Sequence, residues 1–99
     1  MSYRYILHEK AQEDYESAIL WYAQGGQPTV DKFITAVDRI FQLICEHPTM
    51  WRKAGKHYRI VSLAKYPYSI IYSIDEQNRL IIISAVHHHR KSPKSKYRK

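Results

Sequence analysis

The sequence predicts an α+β domain: an N-terminal strand, an antiparallel two-helix hairpin, then a three-stranded antiparallel sheet with the helices on one face. Two observations about periodicity and one about connections predict it. Apolar residues recur at spacings of three and four from Ala11 to Ile44, and at spacings of two from Tyr68 to Ile74. The segments joining these stretches are short. A chain of 99 residues makes one domain, here residues 1–90, with a basic tail at 91–99 that is expected to fray.

Tyr3-Arg4-Tyr5-Ile6-Leu7 is short and aromatic, as a first strand is. Ala11, Tyr15, Ala18, Ile19 and Tyr22 then share one helical face. Glu9, Glu13, Asp14 and Glu16 crowd its first turns, where the helix dipole favours negative charge. Gly25-Gly26 is expected to close this helix in a left-handed cap. Pro28 suits the first turn of the next helix, where its missing N–H would be unpaired anyway. Val30, Phe33, Ile34, Val37, Ile40, Phe41 and Ile44 carry that helix to a stop at His47-Pro48. Two helices of roughly 16–19 residues with a short loop between them fold back as a hairpin.

Trp51 to Lys56 is a basic loop, and Tyr58 to Leu63 is strand-like. Lys65-Tyr66-Pro67 marks a turn. Tyr68, Ile70, Tyr72 and Ile74 alternate with Ser69, Ile71 and Ser73. The first set is expected in the core and the second outward or toward a partner. Asp75 to Asn78 is a hairpin connection, with Asn78 the candidate for the left-handed position. Leu80 to Val86 alternates too little for an edge and reads as a central strand.

Composition narrows the function. At 44% hydrophobic and 25% charged residues, the chain is no disordered polyelectrolyte. Its apolar runs fall far short of the ~20 residues of a membrane helix. Met1 to Tyr5 holds no signal-peptide core, so a cytoplasmic protein is expected. Cys45 has no second cysteine to pair with and is expected to be a small buried residue. The charge is uneven. Residues 1–50 hold four basic and seven acidic residues, a net of −3; residues 51–99 hold twelve basic and two acidic, a net of +10. No Asp or Glu lies between Glu46 and Asp75. Such a field attracts polyanions: nucleic acid, ribosome or an acidic protein segment.

Several patterns in this order are similar to those of the RelE/ParE superfamily of bacterial type II toxins. Ala11-x-x-Asp14-Tyr15 and Trp21-Tyr22 resemble its N-terminal helix. Ile44 to Pro48 resembles the end of its second helix. Tyr58-Arg59, Tyr66-Pro67-Tyr68-Ser69-Ile70-Ile71-Tyr72 and Ile83-Ser84-Ala85-Val86-His87-His88-His89-Arg90 resemble its three C-terminal strands. The resemblance implies a growth-inhibiting, plasmid-stabilising toxin neutralised by a cognate acidic antitoxin, in a toxin–antitoxin hetero-oligomer. The superfamily divides by target. ParE-like members inhibit DNA gyrase without nuclease activity; RelE-like members cut mRNA in the ribosomal A site. Arg59 matches one basic position of the nucleases, but the second falls at Val61. The arginine of their next strand falls at Ser69. Their last arginine falls at His89, beside Arg90, and their C-terminal tyrosine near Ser95, two residues before Tyr97. The ParE-like branch is favoured, with the mRNA endonuclease as the alternative.

Metal-free RNA cleavage needs a base, an acid and a cation to steady the phosphorane. His57, His87, His88, His89, Arg59, Arg90 and Tyr97 are the residues of the right types, and the candidate catalytic set is Arg59, His87, His89, Arg90 and Tyr97. His87 and His89 would share a strand face, with His88 opposite. Arg59 would either pair with an acid of the helix hairpin or meet a phosphate on the open sheet face. Arg52, Lys53, Lys56, Arg59, Arg90 and Lys91 are the candidate contacts to a target or to nucleic acid. The His triplet has no Cys or carboxylate near it in sequence, and no metal or other cofactor is expected.

Overall fold

The computed structural model describes residues 3–90. Strand β1 (Arg4–Leu7) leads into helix α1 (Glu9–Ala23) and helix α2 (Gln27–Glu46). Strands β2 (Arg59–Ser62), β3 (Tyr68–Asp75) and β4 (Leu80–His88) follow. The strand order is β1-β4-β3-β2. β2, β3 and β4 form the expected antiparallel sheet.

The sheet is nevertheless four-stranded and mixed, not three-stranded. β1 adds to β4 in parallel, with Arg4 opposite Leu80 and Leu7 opposite Ile83. A parallel neighbour needs a long crossover, and everything between β1 and β4 supplies one. Four residues carry no sign of which strand they join or in which direction.

The helix hairpin covers one sheet face, as the periodicity predicts. Phe33, Val37, Phe41 and Ile44 of α2 and Ala11 and Ala18 of α1 meet Tyr68, Ile70 and Tyr72 of β3 and Ile81, Ile83 and Val86 of β4. Tyr22 stacks on Phe33 at 4.5 Å between ring centroids, and Tyr5 and Tyr15 lean on Phe41. Cys45 is a buried free thiol in this core.

β4 changes phase part-way. Ile71 pairs with Ala85 but Tyr72 pairs with Ile83, so Ser84 is an extra residue and the register shifts. Ile81 and Ile83 face the helices before the bulge, and Val86 after it. This slip, together with burial on both faces, hides the alternation. β1 ends at Leu7, so β4 beyond Ile83 has lost its neighbour on that side. Asp14, buried in α1, replaces it at one point: the Val86 N–H donates to Asp14 Oδ2 at 3.2 Å.

The other sheet face is not simply open. Ile71 is fully buried in a second small cluster with Ala54, Ile60 and Ala85, against which Tyr58 packs. The basic loop folds back over the sheet and inserts its apolar residues, so Ile71 needs no partner protein to cover it.

Two glycine and turn expectations change. Gly26, at φ +98°, is the N-cap of α2, and α1 closes at Gln24 in an ordinary helical conformation. At the β3–β4 turn Arg79, not Asn78, takes the positive φ of 51°. Asn78 instead donates its backbone N–H and side-chain amide to the two oxygens of Asp75. Asn78 thereby holds the Asp75 carboxyl below its ordinary value. Arg79 lies 4.5 Å from the Tyr3 ring centroid.

Candidate functional site

The segment between α2 and β2 doubles back on itself. The Ile60 N–H donates to the Arg52 carbonyl at 3.1 Å and the Ala54 N–H to the Tyr58 carbonyl at 2.8 Å. These bonds set Lys53 opposite Arg59 as an antiparallel bridge. Gly55, at φ +86°, makes the reversal in the left-handed region that side-chain-bearing residues avoid. The tip presents its cations to solvent while Ala54 and Tyr58 point inward. Lys53, Lys56, His57 and Arg59, with Tyr58, Ser73 and Ile74, enclose a hollow of about 220 Å³. Sequence reasoning selected Lys53, Lys56 and Arg59 as contacts, and here they share one hollow. Arg52 is exposed but is not among its walls.

Arg59 is held by backbone carbonyls of the preceding segment. Its Nη1 donates to the Trp51 carbonyl at 2.7 Å and, more weakly, to the Thr49 carbonyl at 3.4 Å. It stands opposite Tyr72, whose buried hydroxyl donates to the Pro48 carbonyl at 2.5 Å. Arg59 therefore points to the helix side of the sheet. Burial pushes the Tyr72 phenol up to about 12, against a smaller opposing pull from the Arg59 cation.

The histidines gather at the other end of β3. His87 pairs with Ser69 and is buried. His89 is exposed, with Nε2 2.9 Å from Ser69 Oγ, which is itself 2.9 Å from Ser62 Oγ. His88 packs edge-on against Tyr68 on the helix side. The face-sharing of His87 and His89 is as their spacing predicts. Arg59 pairs three residues further along β3 and on the opposite face, so the structure does not bring it together with His87 and His89. Arg90 is exposed just past β4. Lys91 and Tyr97 lie outside the described residues. Among the described residues, no group of three or more His, Cys, Asp or Glu side chains could hold a metal ion.

Residues 5–93 match the family model described as the ParE toxin of the type II toxin-antitoxin system, parDE. The chain belongs to the ParE toxin family. No curated protein matches it. Among its described residues, no helix is long and apolar enough to cross a membrane.

This ParE-family chain carries a second hollow, on the flank of α2 away from α1. Thr35, Ala36 and Ile40 of α2 face Leu63, Ala64 and Tyr66 across a groove of about 600 Å³. Lys32, Arg39 and Lys65 line it with one acid, Asp31. The groove borders the turn that follows β2, the last strand of the sheet. Sequence reasoning did not single out these residues as a set. His57, which the sequence offered only as a residue type for RNA cleavage, and Ser73, which no local sequence signal marks, also wall the cationic hollow.

Proposed function

We propose that this ParE-family toxin arrests bacterial growth by binding and poisoning DNA gyrase in the cytoplasm. The observation that carries the proposal is the family match over residues 5–93. The separation of Arg59 from His87 and His89 supports it, because RNA cleavage needs cation, base and acid around one phosphate. Arg52, Lys53, Lys56, Arg59, Arg90 and Lys91 are the proposed target contacts. The alternative, a ribosome-dependent mRNA endonuclease, draws on the exposed His89 held against Ser69. Its proposed set remains Arg59, His87, His89, Arg90 and Tyr97.

The cognate antitoxin is proposed to lay an acidic segment along the α2 groove. The groove offers apolar walls for anchors and three cations for steering. Expression in cells tests the target. Filamentation with a DNA-damage response is the expected outcome. An immediate stop in translation without DNA damage would replace gyrase with mRNA as the target.

A further inference from the structure

We propose that the hollow walled by Lys53, Lys56 and Arg59 is a phosphodiester site that grips the backbone of duplex DNA. Contact with DNA here stands apart from gyrase inhibition, because it needs no gyrase and is measured on naked duplex.

Size comes first. At about 220 Å³ the hollow is smaller than the ~300 Å³ at which pockets begin to enclose whole small molecules. It accommodates a group on a larger ligand. Charge comes next. Lys53, Lys56 and Arg59 carry basic side chains, and no Asp or Glu is among the residues that line the hollow. The ligand group is therefore an anion.

The donors favour a phosphate. Arg59 is held by Nη1 against two backbone carbonyls, and its planar fork is of the type that meets a tetrahedral oxyanion with more than one N–H. Lys53 and Lys56 are exposed point charges on either side of the Gly55 turn. Ser73 is also among the residues that line the hollow.

The walls argue against an acidic peptide. Ile74 is the one aliphatic side chain lining the hollow. A stably bound peptide needs apolar anchors, which the α2 groove supplies in Ala36, Ile40, Leu63, Ala64 and Tyr66, whereas this hollow offers only Tyr58 and Ile74. A nucleic-acid backbone needs none, since phosphate contacts alone position a protein on it. The loop stands at the outer edge of the sheet, where a rod-shaped duplex has access. Arg52 next to it extends the basic surface.

The test is fluorescence anisotropy of a short labelled duplex with the full-length protein, titrated from about 50 to 200 mM salt. Arg59 is left in place because it also fastens the preceding loop. Lys53→Ala/Lys56→Ala removes two exposed cations from the hollow. Arg4→Ala/Lys10→Ala removes the same charge from β1 and the start of α1, at the opposite edge of the sheet. The first variant is expected to bind about tenfold more weakly at low salt, with the slope of log affinity against log salt shallower by about 1.8. The second is expected to bind within about twofold of the unmodified protein. Equal losses in the two variants would overturn the proposal, since the duplex would then be reading net charge alone. Displacement of the duplex by poly-glutamate as effectively as by unlabelled DNA of equal charge would overturn it too, in favour of an acidic protein ligand.

Discussion

Arg59 and Tyr72 face each other across β2 and β3 and fasten the same loop from two sides, the guanidinium through Thr49 and Trp51 and the phenol through Pro48. These carbonyls lie just past the end of α2. The pair therefore locks the exit of the helix hairpin to the sheet and fixes the start of the basic loop. A residue that the sequence offered either as an ion-pair partner of the helix hairpin or as a phosphate contact also acts as a structural clamp.

Tyr72→Phe is predicted to cost about 1 kcal/mol, because it removes one hydrogen bond and leaves the ring in place. Arg59→Ala is predicted to cost roughly 1–3 kcal/mol, because its bonds come from a charged donor. Arg59→Lys is predicted to recover little, since an ammonium cannot reproduce the planar fork. Urea denaturation checks all three. An Arg59→Ala protein as stable as the unmodified one would show that the clamp contributes nothing.

Alkaline pH is predicted to unfold the protein. The Tyr72 phenol sits at about 12 when folded and near 10 when unfolded. Its pKa is raised, so its contribution is fully present below about pH 10 and is lost as pH climbs toward 12. Two units correspond to about 2–3 kcal/mol at full loss. Burial raises Tyr5, Tyr15, Tyr22 and Tyr68 as well, in the same direction. Stability measured from pH 8 to 12 should fall steadily above 10, and less steeply in Tyr72→Phe. A profile that stays flat to pH 12 would contradict this account.

Asp14→Ala is predicted to destabilise by roughly 1–3 kcal/mol, since it strands the Val86 N–H on the side of β4 that β1 no longer covers. Asp14→Asn keeps an acceptor oxygen and should cost less. Amide hydrogen exchange at Val86 gives the local readout. Protection that survives Asp14→Ala would mean that another group covers this edge.

Lys32→Glu/Arg39→Glu is predicted to slow association with the cognate antitoxin about tenfold at low salt and to change dissociation little. Stopped-flow binding at two salt concentrations separates the two rates. Unchanged association would remove the α2 groove from the antitoxin interface.

The helices were legible because their punctuation is local. Gly25-Gly26, Pro28 and Pro48 mark where they end and begin, and the apolar spacing marks which face is buried. β3 was legible for the same reason. What stayed hidden depends on contacts between distant residues. Nothing within Arg4–Leu7 reveals that Leu80–Ile83 lies beside it in parallel. The Ser84 bulge shifts the phase of β4 by one residue and erases the alternation a reader would count. The chain shows Arg59, but its acceptors are backbone carbonyls, which every residue carries and no sequence distinguishes. Lys53, Lys56 and Arg59 were legible as charges. Their convergence with Ser73 on one hollow required the Lys53–Arg59 bridge.

We propose that this ParE-family chain stops growth by acting on gyrase. The most direct measurement adds the purified protein to gyrase with relaxed plasmid and, in parallel, to ribosomes programmed with mRNA. Inhibited supercoiling with intact mRNA is the predicted result. Unaffected supercoiling with mRNA cut on the ribosome would contradict the account and move the function to the nuclease branch.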